Sequence, residues 1–266
     1  MPLYRDITSA DDPLLEPFRD IRERDVTGRQ GQFIIEGEVV LRVAILRRPD
    51  LVQSCLIAAN QLEKLKPLLE LLPPDAPVAC VERGLMEQIA GFPLHRGIVA
   101  LGRQPVQPPL PELLGGLSGA GLIVVCIGIV NHDNIGGIFR NAAAFGADAV
   151  LLDDTCCDPL YRKALRVSVG GALRVPFTRG GAEALIDGLQ QHGFACAALS
   201  PSGAKTLRQW PPPPRAALIL GAEGAGLPPD ILARCEALSI PMSGGFDSLN
   251  VAAASAIALH HVRSAA

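Results

Sequence analysis

A chain of 266 residues with 48% hydrophobic and 19% charged residues can bury one large core or two modest ones, which excludes disorder throughout. Aromatics are only 4% and the net charge is −3, so the interior rests on Ala, Leu, Val and Gly, and any nucleic acid must be met by a local basic patch rather than a global field. Apolar runs such as 122–130 are too short to span a bilayer, the start around Arg5 and Asp6 carries no export-signal core, and seven cysteines without a zinc-like pair read as reduced thiols in a cytoplasmic protein without membrane or metal partners.

Short β-branched runs alternate with amphipathic stretches, the α/β pattern. In the first hundred residues strands are expected at 33–35, 51–58, 78–81 and 97–101. Helices are expected at 38–47, with Val39, Val40, Val43 and Leu46 inward, at 60–72, capped by Asn60, and at 84–90. The Pro-rich stretch 105–117, with Pro105, Pro108, Pro109 and Pro111, reads as a linker between a domain at 1–104 and another at 118–266.

Beyond it, Leu122-Ile123-Val124-Val125-Cys126-Ile127 has no polar alternation and reads as a strand buried on both faces. Helices follow at 134–145, 161–169, 182–192, 228–235 and 248–262, and strands at 149–152, 194–199, 217–220 and 238–241. A parallel sheet with helices on both faces accommodates them. Cys156-Cys157 is either a redox pair or small apolar filler.

Three segments carry chemistry. In the first, Asn134-Ile135-Gly136-Gly137-Ile138-Phe139-Arg140, the apolar residues share an inward stripe with Ala142 and Phe145. Arg140 then leans back across the bare glycine pair toward Asn134 and Asp133. That places a cation beside exposed amides, fit for a phosphate or a polarised hydroxyl; equally, it is a surface arginine over close-packed glycines. In the second, Leu220-Gly221-Ala222-Glu223-Gly224-Ala225-Gly226-Leu227, a buried strand runs into a glycine-rich turn, the usual ligand position in an α/β sheet. It matches no dinucleotide or phosphate-loop pattern, and Glu223 would repel a pyrophosphate, so a neutral or cationic ligand such as a sulfonium suits it; a plain tight turn is the alternative. The third, Ile240-Pro241-Met242 through Ser248-Leu249-Asn250-Val251, ends a strand and opens a helix with Ser248 as N-cap. The small residues from Ala252 to Ala258 allow very close backbone approach, within the domain or across a dimer.

In this order, the three segments resemble the SpoU/TrmH-type family of RNA ribose methyltransferases in the SPOUT class, over residues 121 to the end. Arg166-Val167-Ser168-Val169-Gly170-Gly171-Ala172 is similar to the family's connecting segment. More softly, Phe33-Ile34-Ile35-Glu36-Gly37-Glu38 and His95-Arg96-Gly97-Ile98-Val99-Ala100 resemble its L30e-like RNA-binding domain. One departure stands out: His132-Asp133 replaces the family's Asp-Pro before the motif asparagine.

The resemblance implies an α/β protein with a C-terminal trefoil-knotted methyltransferase domain, a smaller N-terminal L30e-like domain, and a homodimer formed through the C-terminal domain. The activity it implies is S-adenosylmethionine-dependent 2′-O-methylation of a tRNA or rRNA ribose. Asn134, Arg140, Glu223, Ser248 and Asn250 would be catalytic, and Leu199, Gly221, Ile240 and Leu249 would line the cofactor. Arginine is a poor base because its guanidinium stays protonated, so Arg140 is either the family's proposed base or a polarising group paired with phosphate. A non-catalytic RNA-binding protein on the same fold, or a resistance enzyme acting on one ribosomal site, would share these residues.

Overall fold

The structure is a computed structural model describing residues 3–19, 21, 31–91, 94, 96–244 and 248–265, the last by its backbone alone. His95 of the softer resemblance and Gly245-Phe246-Asp247 between the halves of the third motif lie outside the described residues. In chain order the strands are β1 (Tyr4–Ile7), β2 (Gln32–Glu36), β3 (Val52–Ala58), β4 (Val78–Val81), β5 (Ile98–Arg103), β6 (Gly121–Cys126), β7 (Ala149–Asp153), β8 (Phe177–Gly180), β9 (Ala195–Leu199), β10 (Lys205–Thr206), β11 (Arg215–Leu220) and β12 (Glu236–Ser239). The α-helices are α1 (Glu38–Arg47), α2 (Leu62–Leu69), α3 (Arg83–Ala90), α4 (Leu110–Gly115), α5 (His132–Ala144), α6 (Arg162–Val167), α7 (Ala182–Gln191), α8 (Pro229–Leu232) and α9 (Val251–Ala265). The chain divides into two compact units, Met1–Pro105 with Leu160–Arg174, and Val106–Pro159 with Val175–Ala266.

Among the described residues the first unit holds a mixed five-stranded sheet in the order β1-β4-β3-β5-β2. Strands β1, β4 and β3 run parallel, and β5 lies antiparallel to both β3 and β2. One core cluster joins Phe18, Ile34, Leu56, Met86, Ile89 and Val99. Strand β1 was not legible because Tyr-Arg-Asp-Ile carries only one residue, Ile7, that becomes buried.

Two expectations here need correction. Helix α1 buries Val40, Leu41, Ala44 and Ile45, whereas Val39 and Leu46 are exposed. Apolar residues surround this helix, so two stripes satisfy helical spacing and the sequence pattern chose the wrong one. Nor does Asn60 cap a helix: Ala59–Gln61 forms a 3-10 turn, and α2 begins at Leu62 without a side-chain cap.

Residues Leu160–Arg174 belong to the first unit, although β7 before them and β8 after them belong to the second. The 118–266 stretch is therefore not one continuous body. Glu36 accepts hydrogen bonds from the guanidinium groups of Arg162 at 2.8 Å and Arg166 at 3.2 Å, tying α6 to the end of β2. Gly170 has φ +78°, and a Cβ there would stand 2.9 Å from the Cβ of Val43 on α1. These fifteen residues carry Arg162, Lys163, Arg166 and Arg174 and no acidic residue.

The second unit is a seven-stranded sheet in the order β10-β12-β9-β11-β6-β7-β8, parallel at every pairing. Every residue of β6 and β7 is buried, which explains the missing polar alternation. The expected linker is extended only up to Pro109; Leu110–Gly115 is a helix. Pro111 sits in its first turn, where a missing N–H costs nothing, while Leu110, Leu113, Leu114 and Leu117 pack into the core of this unit, against α7 and β8. Gly188 of α7 makes room for that packing, since a Cβ there would lie 2.6 Å from Leu110. Strand β8 and the two-residue β10 were not anticipated, and α8 is shorter than the helix expected at 228–235.

Because all strands of this sheet point the same way, the loops after β6, β9, β11 and β12 emerge on one edge. Strand β6 has β11 on one side and β7 on the other, so the chain order reverses there, the switch point at which open α/β sheets bind ligands.

Candidate active site

The loop after β6 turns at Gly128, with φ +71°, and enters α5 through Asn131, whose side-chain oxygen accepts from the Asp133 N–H at 2.8 Å. Asn134 follows in the first turn and is buried. The loop after β11 folds back on itself: Ala222 bridges Gly226, and a Cβ on Gly221 would lie 2.6 Å from the backbone of Gly226 and Leu227. Glycine at 221 is thus a steric requirement, as the tight-turn reading held. The turn it permits also presents Glu223 at the sheet edge.

The third element is α9. Asn250, not Ser248, caps it: the Asn250 Oδ1 accepts from the N–H groups of Ala252 at 2.9 Å and Ala253 at 3.2 Å. Ser248 lies two residues too early to reach those amides. Asn250 Nδ2 donates to Asn134 Oδ1 at 2.8 Å and to Glu223 Oε1 at 3.0 Å. The orientation follows from chemistry, since a carboxylate only accepts and helix N–H groups only donate. All four capacities of the Asn250 amide are spent inside the protein. Asn134 Nδ2 and Glu223 Oε2 form no hydrogen bond among the described residues.

Beside this chain of bonds lies a cavity of about 610 Å³. Leu199, Leu220, Leu238, Ile240 and Leu249 form its apolar wall, Gly221 its backbone edge, and Glu223, Ser248 and Asn250 its polar rim. The volume suits a ligand of nucleoside size. Glu223, Ser248, Leu249 and Asn250 are exposed at its mouth.

The structure therefore gathers eight of the nine residues singled out from the sequence: Asn134, Glu223 and Asn250 by direct bonds, and Leu199, Gly221, Ile240, Ser248 and Leu249 around the same cavity. Arg140 is the exception. It is exposed on α5, does not line the cavity, and forms no hydrogen bond or ion pair among the described residues, so it does not reach Asn134 or Asp133. The glycine pair has a different use: a Cβ on Gly137 would stand 2.7 Å from the Cβ of Ala252, so Gly137 lets α9 pack against α5. Sequence reasoning missed Leu220 and Leu238, the last buried apolar residues of β11 and β12, and Val251 and Ala254, one helical turn apart on α9. Strand ends and i, i+3 spacing were the available signals.

Cys156 and Cys157 are free thiols, Cys156 buried and Cys157 partly exposed. Burial, reinforced by Asp153, pushes the Cys156 thiol up to about 12, and burial pushes Cys157 up to about 11, so neither offers a thiolate near neutrality. The Cys156 Sγ accepts from the Ile129 N–H and donates to the Cys126 carbonyl, each at 3.3 Å, bracing the loop after β6.

A family model described as "SpoU rRNA Methylase family" matches residues 121–260. An uncharacterised tRNA/rRNA methyltransferase of Mycobacterium bovis is 36% identical over 274 residues, covering 96% of this chain and 90% of its own. A 23S rRNA (guanosine-2′-O-)-methyltransferase of Salmonella typhi is 30% identical, covering 85% of this chain and 96% of its own. Among solved structures, an AdoMet-bound rRNA methyltransferase from Sinorhizobium meliloti superposes with a TM-score of 0.81 at 22% identity, covering 98% of each chain. The SpoU methyltransferase AviRb from Streptomyces viridochromogenes does so at 0.78 and 20% identity, covering 94% of this chain and 96% of its own. At those identities the two structures share the fold.

Gly137→Ala tests how tightly α9 is held. At an exposed helix interior, Gly to Ala stabilises by about 1 kcal/mol. Here the added methyl must displace Ala252, and overpacking costs about 1–3 kcal/mol. Urea unfolding is expected to show a net loss; a gain in stability would contradict the close approach.

Proposed function

Because the chain belongs to the SpoU rRNA methylase family, we propose that it methylates the 2′-hydroxyl of an RNA ribose, using S-adenosylmethionine as donor. The observation that carries this reading is the bonded set Asn134–Asn250–Glu223 beside an apolar, nucleoside-sized cavity, with Glu223 and Asn250 on its rim. When bound, S-adenosylmethionine supplies an activated methyl group on a sulfonium.

The residues present fit that donor. Leu199, Ile240 and Leu249 offer an apolar bed for an adenosine, Gly221 allows close approach to the backbone, and the Glu223 carboxylate complements a positive sulfur. Asn250 contributes by orientation, fixing Glu223 and Asn134 relative to each other. Alignment of this kind lowers a barrier by up to roughly 7–11 kcal/mol. Asn134 Nδ2 would donate to a ribose oxygen. Ser248, on the rim, offers a hydroxyl to the same substrate. A guanidinium stays protonated, so Arg140 serves best by holding a phosphate and polarising the hydroxyl.

The finer organisation belongs to the same proposal. The second unit would follow a trefoil-knotted path, consistent with α9 returning to pack on α5. The first unit would act as an L30e-like RNA reader, with exposed Lys163, Arg166 and Arg174 supplying the local basic patch that a chain of net charge −3 requires. A cytoplasmic setting agrees with seven free cysteines. Among the described residues no helix is long and apolar enough to cross a membrane.

A homodimer through the second unit completes the reading. Within one chain, helix α9 is covered on most sides from Val251 to Val262 and keeps one exposed stripe there, Ala253, Ile257 and His260, with Ile257 42% exposed. A two-fold partner would cover this stripe and could bring Arg140 to the other copy's cavity, which Arg140 does not line in its own chain.

Two outcomes follow. Arg140→Ala is expected to lower methyl transfer to RNA at least 100-fold, within the range of about 10²–10⁴ for loss of a group aiding proton removal. Calorimetry should find cofactor affinity within a few-fold of the parent; loss of binding together with activity would sink the assignment. Ile257→Glu, at an already exposed position, should convert dimer to monomer in sedimentation at micromolar concentration without unfolding the chain. A parent protein that sediments as a monomer would overturn the dimer.

A further inference from the structure

Where helix α5 meets α9, three residues of α5, 134, 137 and 141, spaced three and four apart, share one face. The first bonds Asn250, and the second leaves room for Ala252. The third, Asn141, is polar and makes hydrogen bonds across the two helices. Asn141 Nδ2 donates to the Ala252 carbonyl at 2.7 Å and to the Ser255 hydroxyl at 2.9 Å. That hydroxyl donates to the same carbonyl at 2.7 Å, and Ser255 is 1% exposed.

Ala252 is consequently held at both ends. Its N–H is bound by the Asn250 side chain and its C=O by Asn141 and Ser255. A continuous bonded path runs from Asn141 through the Ala252 backbone to Asn250, and from there to Glu223 and Asn134. The polar choice at 141 is informative. An apolar side chain would suffice to pack two helices, and a half-buried amide is kept only at some desolvation cost. What the amide adds is direction: it fixes the rotation and height of the first turn of α9, on which the Asn250 cap depends.

We infer that Asn141, with Ser255 as its partner, is a positioning residue for the reaction, acting through Asn250 and touching neither donor nor acceptor. Its effect on turnover rests on the methyltransferase reading above; its effect on Asn250 does not. A displacement of about 1 Å at a catalytic constellation can cost on the order of 10²-fold in rate. Asn141→Ala is therefore expected to lower kcat about 10- to 100-fold.

The test has two arms. In the ligand-free protein, proton exchange of the Asn250 side-chain amide, followed by NMR, should quicken at least tenfold in Asn141→Ala. In the second arm kcat is measured for Asn141→Ala, Asn250→Ala and the double variant. If Asn141 acts through Asn250, the double variant should be within about twofold of Asn250→Ala alone. Multiplying losses, or unchanged amide exchange, would overturn the inference and leave Asn141 as ordinary helix-packing glue. Should Asn141→Ala not fold, Ser255→Ala removes only a hydroxyl from the same cluster and is read identically. A parent protein that transfers no methyl group contradicts the functional reading, while the exchange arm still decides the positioning.

Discussion

The side-chain amide of Asn250 is where the three loops of the second unit become one site. Its oxygen closes the open N–H groups of α9, and its nitrogen binds a carboxylate from the loop after β11 and an amide from the first turn of α5. No other side-chain type supplies two donors and two acceptor lone pairs in so short a reach. Aspartate would cap the helix equally well, but it would turn a second carboxylate toward Glu223. The cap and the active site are thus one requirement, and α9 cannot shift without pulling Glu223 and Asn134 with it.

The sheet makes this convergence possible. Parallel strands deliver their loops to one edge, and strands buried on both faces leave that edge as the place where polar backbone must find partners. The cavity inherits its character from this arrangement. Leu220 and Leu238 are the last buried residues of their strands and give it an apolar floor, while the loops place Glu223 and Ser248 on the rim. An apolar bed with a single carboxylate suits an uncharged ring system that carries a positive centre.

Much of this was legible in the residues. A strand with no polar alternation can only be central in a parallel sheet, so the positions of the three motifs at strand ends followed directly. Other features were hidden because they depend on partners distant in the chain. Ser248 and Asn250 are both good caps, and only the position of α9 against α5 chooses between them. Helix α1 offers two apolar stripes, and the sheet decides which is buried. The segment 160–174 reads locally as one more helix of the second unit. Its allegiance to the first rests on Glu36, more than a hundred residues earlier, and on Gly170 fitting against Val43. The prolines before α4 disguised a helix, because proline is a breaker inside a helix but harmless in its first turn.

The most direct test of the account is chemical. RNA is incubated with the protein and S-adenosylmethionine carrying a labelled methyl group, then digested to nucleosides and resolved by mass spectrometry. The arrangement of Asn134, Glu223 and Asn250 beside the cavity predicts the label on the ribose oxygen, as a 2′-O-methylnucleoside from one position. Label on a base, or no transfer to ribosomal or transfer RNA under conditions where the protein binds the donor, would contradict it.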